Sequence, residues 1–180
     1  MNLDRYQASI LTFLFEKLPI GSSVSYLDFP LKGESTERYC IAHARIFAIE
    51  NSVEVVFTLP RQSNNVALAL TDRKTRDVAL LLANLQEYEW ENGLLLKAGE
   101  VVIIPNPDEP AADLPFAVII LPIETSLDCA ALPTSKEIAG RLTTFHLVVP
   151  LTKAEWAIRK QEGNESLIDH FEATNKSLLF

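Results

Sequence analysis

The chain has little cysteine, little glycine and a shortage of positive charge, and each lack narrows what it can be. Its two cysteines, Cys40 and Cys129, stand far apart in 180 residues, too few for a disulfide framework. Its six glycines build neither a G-x-G-x-x-G nor a G-x-x-x-x-G-K loop, so the common phosphate cradles are absent. No G-x-S-x-G nucleophile elbow is present either. Lys and Arg number 16 against 24 Asp and Glu, a net charge of −8. Such a chain repels a phosphate backbone, and nucleic acid is not an expected partner. Arg73, Lys74 and Arg76 make only a short basic cluster, broken by Thr75 and closed by Asp77. No apolar run approaches the roughly 20 residues that span a bilayer. The N-terminal run ILTFLF meets Glu16 and Lys17 and lacks the basic flank of a secretory signal. The expectation is a cytoplasmic protein with no membrane partner.

What is present suits one globular domain spanning residues 1–180. Hydrophobic residues make up 48% and charged residues 22%, ordinary values for a packed core. A chain of this length buries roughly 70% of its unfolded surface and needs no disulfide or metal to hold it.

Hydrophobic periodicity sets out the elements. Tyr6, Ile10, Phe13, Leu14 and Leu18 fall at helical spacing and Pro19 with Gly21 ends them. From Tyr39 to Ile49, and again from Val53 to Leu59, apolar and β-branched residues alternate with period two. Glu50-Asn51-Ser52 between them predicts an antiparallel hairpin, and Pro60 stops the second strand. Val78, Leu81, Leu82, Leu85 and Tyr88 form a helical stripe from about Thr75 to Glu91, closed by Asn92-Gly93. Glu87, Glu89 and Glu91 are expected on its exposed side. Val101–Ile104 and Phe116–Leu121 are of strand length, separated by an acidic, proline-rich loop carrying Asp108 and Glu109. Thr125–Gly140 reads as a long excursion with a short helix near Lys136–Ala139. The order α, β, β, α, β, β, β, α predicts an α+β fold, a largely antiparallel (mixed) sheet packed with helices.

Candidate chemistry is sparse. Cys40-x-x-His43 is half of a metal site at best. A zinc site needs three or four ligands, and an offset of three within one strand points the two side chains to opposite faces. A thiol in an apolar strand is ordinarily inert packing. No catalytic residue, metal ligand or cofactor is assigned.

The C-terminal run FHLVVPLTKAEWAIRKQEGNESLIDHFE, Phe145 to Glu172, is the most specific part of the chain. Phe145, Leu147 and Val149 form a strand that Pro150 ends. Thr152 is then an N-cap with Glu155 three residues on, a capping box, and Leu151 with Trp156 has the spacing of a hydrophobic staple. Gly163 stops this helix and Asn164 is placed to cap the next, which carries Leu167, Ile168 and Phe171.

These positions carry a resemblance. Pro150-Leu151 after a strand, Glu155 in the helix start, Gly163 and Leu167 resemble the closing motif of the suppressor-of-fused domain family. Upstream, Glu54-x-x-Phe57-x-Leu59-Pro60, the long helix and Phe116 entering a strand follow the family's order. The resemblance implies a non-enzymatic binding module. Two-domain members sequester a transcription factor by clasping a short strand between their domains. Short single-domain members are typically bacterial, and many look like immunity proteins that neutralise a toxin. This chain resembles one such domain, so no peptide-binding residue is carried over.

The expected partner is another protein, a basic toxin within the immunity reading, met by exposed acidic positions: Glu87, Glu91, Asp108 and Glu109. The alternatives are an enzyme with an unrecognised active site and a structural or oligomeric accessory domain. In the latter case the tail Leu178-Leu179-Phe180 would dock on another subunit, although packing back on its own core is the favoured reading.

Overall fold

The computed structural model describes residues 3–21, 23–30, 38–47, 53–104, 115–126 and 131–180. The first helix, α1 (Arg5–Lys17), buries Tyr6, Ile10 and Leu14, with Leu18 buried just beyond it. Its start is a second capping box. The Asp4 carboxylate accepts the Gln7 N–H at 2.8 Å, and the Gln7 side chain accepts the Asp4 N–H at 3.1 Å.

Four antiparallel strands share a meander: β1 (Ser25–Pro30), β2 (Arg38–Arg45), β3 (Glu54–Thr58) and β4 (Asn65–Thr71). The expected hairpin is β2–β3, with Ile41 opposite Thr58 and Ala44 opposite Val55; its turn, Glu50-Asn51-Ser52, lies outside the described residues. Helix α2 (Thr75–Asn92) follows, then β5 (Val101–Ile103), β6 (Ala117–Pro122), the short α3 (Ile123–Ser126), β7 (Ser135–Ile138), β8 (Arg141–Leu151), α4 (Lys153–Glu162) and α5 (Asn164–Thr174). The strands form one eight-stranded sheet in the order β1-β2-β3-β4-β8-β6-β5, with β7 paired to β8. Among the described strands only the β4–β8 pairing is parallel, so the sheet is mixed and largely antiparallel, in keeping with an α+β fold.

Both faces of the sheet are covered. Phe57, Leu68, Phe145, Leu147 and Val149 pack with α1, α4 and α5 on one side. Ile41, Val56, Ala69, Ile120 and Val148 pack with α2 on the other. That is why β3, β6 and β8 read as nearly continuous apolar runs: period-two alternation feeds two cores.

Several expectations need correction. β1 and β4 join the meander over stretches to which the sequence reading assigns no element, and β4 holds the centre of the sheet. The stretch 136–139 is not a helix. Ser135–Ile138 pairs with Arg141–Thr144 through a two-residue turn at Ala139-Gly140, both in the left-handed region (φ 50° and 81°), the geometry of a tight hairpin. Lys136 and Glu137 favour a helix locally, but pairing with β8 overrides them.

Pro150 does not end β8, which runs on to Leu151. Ile120 donates to Glu100 and accepts from Gly99, so its backbone faces away from β8. Alternation gives Val118 the same direction, so its partner Pro150 has no ladder bond to lose. At the C-terminal helices, the Thr152–Glu155 capping box forms as expected. Leu151 is buried, and Trp156 packs half-buried on the same core. Asn164 is not a cap: it is the first residue of α5, and Gly163 takes the cap position without a side-chain bond. The tail folds back on its own chain. Leu179 bridges Leu70 in parallel and the Phe180 N–H donates to the Leu70 carbonyl at 2.9 Å.

Candidate functional site: a groove at the end of the long helix

Helix α2 ends at Gly93, whose left-handed backbone (φ 61°) lets its N–H reach the carbonyls of Glu89 and Trp90. The chain then doubles back as Leu94-Leu95-Leu96. Glu89 ties this return to the sheet. Its Oε1 accepts the Leu96 N–H at 2.7 Å and the Asn65 side-chain amide at 2.6 Å, while Asn65 also donates to the Leu96 carbonyl at 3.1 Å.

The facing wall is the β3–β4 turn, Leu59 to Ser63, and it is held by Arg141. The Arg141 guanidinium donates to the carbonyls of Arg61 (2.7 Å), Gln62 and Ser63 (3.2 Å), and to Asn64 Oδ1 from two nitrogens at 2.9 and 2.6 Å. It also stacks 3.9 Å over the Tyr6 ring. The planar fork of arginine allows this many bonds at once.

Between these walls, floored by Tyr39 and Cys40 of β2 and by Gln86 and Glu89 of α2, lies an open cavity of about 410 Å³, within the size range of binding pockets. Its mouth is apolar and exposed: Trp90 is 62% accessible, Leu95 48% and Leu94 37%. A much smaller void of about 10 Å³ lies behind it, reached by Gln86, Glu89 and His146.

The electrostatics of the cavity follow from burial. Burial pushes the Glu89 carboxyl above its ordinary value; the bonds from Leu96 and Asn65 offset part of that, and the Glu100 charge adds to the rise. Burial first, then the nearby Asp28, pushes the Cys40 thiol up to about 12, so it stays protonated and unreactive. Burial pushes His146 down, and its Nδ1 has no partner among the described residues.

The sequence candidates are dispersed. Glu87 and Glu89 are both buried, each 7% accessible, which removes the premise of exposure on which Glu87 was chosen. Glu87 and Glu91, four residues apart, lie on one side of the helix and Glu89 on another; Tyr88 and Trp90 are the exposed aromatic groups of this turn. Glu91 is exposed at the last turn of α2. Asp108 and Glu109 lie outside the described residues, as does Cys129. His43 turns to the α2 side, its Nδ1 3.2 Å from Glu54 Oε2, which also accepts from the Thr75 hydroxyl of α2. Cys40 packs in the opposite core, so the Cys40-x-x-His43 pair is split across the sheet. Among the described residues no three His, Cys, Asp or Glu side chains gather as a metal set. Trp90, Leu94, Leu95 and Arg141 were not singled out by the sequence reading, although Asn92-Gly93 followed by three leucines marks an apolar chain reversal.

A sequence model of the suppressor of fused protein (SUFU) family matches residues 41–180. The chain belongs to that family. The resemblance carried by Pro150-Leu151, Glu155, Gly163 and Leu167 is thereby confirmed. Among solved structures, the fold is similar to that of a suppressor-of-fused homologue from Neisseria gonorrhoeae FA 1090. The two share 14% identity with a TM-score of 0.71 over 97% of this chain and 93% of that one. A crystal structure of the Sufu–Fu complex is more distant, at 9% identity and a TM-score of 0.47 over 86% of this chain and 70% of that one. No curated protein matches the chain. Among the described residues, no helix of this suppressor-of-fused domain is long and apolar enough to cross a membrane.

Proposed function

We propose that this chain is a non-enzymatic protein-binding module, and that the groove between α2 and the β3–β4 turn is its partner surface. The observation that carries the reading is the exposed apolar mouth. Trp90, Leu94 and Leu95 sit side by side in water around a cavity of about 410 Å³, and a cluster of large exposed apolar groups over a concavity marks an interaction site. Membership of a protein-interaction family supports binding over turnover. Within this reading the partner is a basic toxin, the chain acts as a cytoplasmic immunity protein, and its net charge of −8 speeds encounter. Glu91, with Asp108 and Glu109, supplies part of that steering charge.

The test is affinity capture from the source cell with the wild type and with a Trp90→Ala, Leu95→Ser variant, followed by titration of the purified partner. The reading expects one partner held by the wild type and bound at least about tenfold more weakly by the variant, with unchanged melting. Co-expression with that partner tests the toxin assignment separately, by growth rescue. Equal binding by both forms contradicts the groove as the partner surface.

A further inference from the structure

Glu89 is an unusual group to find in an apolar cavity. It is 7% accessible, yet among the described residues it has no ion pair. Its hydrogen bonds from Asn65 and Leu96 both end on Oε1. Oε2 accepts none, and it is not among the sealed atoms that lack a partner, so it keeps some exposure on a residue that lines the cavity. A buried carboxylate without a countercharge is costly. Two donors nevertheless lock it in place, one from the return loop and one from β4, so it cannot swing out to water. That is the arrangement of a preorganised acceptor awaiting a cation.

The rest of the wall narrows the cation. Tyr39, Trp90, Leu94 and Leu59 offer aromatic and aliphatic surface, which suits a long methylene stem with a charged head. Gln86, one helical turn before Glu89, lines the same wall, but its Oε1 is sealed from solvent and offers the cavity no acceptor. A planar, weakly hydrated guanidinium stacks on an exposed aromatic wall such as Trp90 better than a compact ammonium does. On this chain, Arg141 is already held by the β3–β4 turn. Arg61 lines the cavity but makes no ion pair with Glu89.

Building on the groove reading above, we propose that the cavity takes an arginine side chain of the partner, its guanidinium on Glu89 Oε2 and its stem between Trp90 and Leu59. The rule that follows for the partner is an arginine displayed on an otherwise apolar segment. Arg61, a like charge on the same wall, opposes the incoming arginine.

The experiment titrates the full chain, labelled with ¹⁵N, with the peptide acetyl-Leu-Arg-Leu-amide and with the same peptide carrying citrulline, which has nearly the shape of arginine and no charge. The arginine peptide should shift the Leu96 amide and the Asn65 side-chain amide. It should bind at least about tenfold more tightly than the citrulline peptide. Glu89→Gln should reduce arginine binding to the citrulline level, and Arg61→Ala should tighten it. If Glu89→Gln does not fold, the Arg61→Ala and citrulline arms decide the matter alone. Equal binding of the two peptides, both weakened by Trp90→Ala, overturns the arginine assignment and leaves the groove as a binding surface. Tight arginine binding that leaves Leu96 and Asn65 unshifted overturns it as well, by placing the site elsewhere. No binding of either peptide also overturns it, while the groove reading still stands or falls on the captured partner and the Trp90→Ala, Leu95→Ser variant.

Discussion

Lys176 Nζ lies 2.9 Å from Glu155 Oε1 and 3.0 Å from Glu155 Oε2, joining the start of α4 to the tail that leaves α5. Glu155 Oε2 also accepts the Thr152 N–H at 2.7 Å, so one carboxylate closes the helix cap and anchors the tail. Both side chains are mostly buried, at 8% and 16% accessible. Removing one partner strands the other, and Glu155→Gln is expected to cost about 3 kcal/mol. In a chain of this size each kcal/mol is worth roughly 2–4 °C of melting temperature, so calorimetry will detect it. An unchanged midpoint would show that the pair adds nothing.

The same carboxylate predicts a pH dependence. Burial alone would raise it, but the Lys176 bond, the Thr152 backbone and hydroxyl bonds and the Lys176 charge outweigh burial and hold it below 4.5. A depressed carboxyl contributes stability that is fully present above its unfolded value and is lost as pH falls through its folded value. Wild type should therefore lose stability relative to Glu155→Gln below about pH 4.5. Denaturant midpoints across that window check it, and parallel curves for the two proteins would contradict it.

Thr152→Ala removes the hydroxyl that accepts the Glu155 N–H at 3.2 Å. The expected loss is about 1 kcal/mol, while Thr152→Ser should recover most of it. A melt series of the three proteins measures both.

Glu89 should show the opposite sign. Its carboxyl is raised, so its contribution is greatest below 4.5 and declines as pH rises through the folded value. Glu89→Gln should then be at least as stable as wild type at pH 7, with the difference shrinking toward acid. A large loss of stability at pH 7 would mean that the carboxylate serves the fold rather than a ligand.

Arg141→Lys keeps the charge but not the fork that holds the turn from Arg61 to Asn64. Loss of several charge-assisted bonds should cost about 2–3 kcal/mol. Amide exchange should quicken around Ser63 to Asn65 before it does elsewhere. Uniform exchange would show that the turn holds its own shape.

Strong local signals carried the sequence reading. α2 was delimited by the stripe Val78–Leu85 and by Asn92-Gly93, and the start of α4 by Thr152 and Glu155. Both are contained within a few residues of chain. β4 failed the same reading because Asn65–Thr71 follows a polar stretch, and its strand identity comes from neighbours β3 and β8, which are distant in sequence. β7 failed because Lys136 and Glu137 are locally helical and only Arg141–Thr144 makes them a strand. The groove was hidden for the same reason. Its walls are about 30 residues apart, Leu59–Ser63 against Trp90–Leu95, and its clamp, Arg141, is further still. The run Glu87, Glu89, Glu91 resembles a solvated face in sequence, but Glu87 and Glu89 are buried, and Glu89 is covered by Asn65 and Leu96, which lie outside the helix.

The most direct test of the account is the affinity of the captured partner for wild type and for Trp90→Ala, measured by isothermal titration with the melting temperatures of both proteins alongside. The groove predicts a loss of about 2 kcal/mol, roughly thirtyfold in Kd, with the two melting temperatures equal. Equal affinities at equal stability would place the partner elsewhere on the domain and contradict the account.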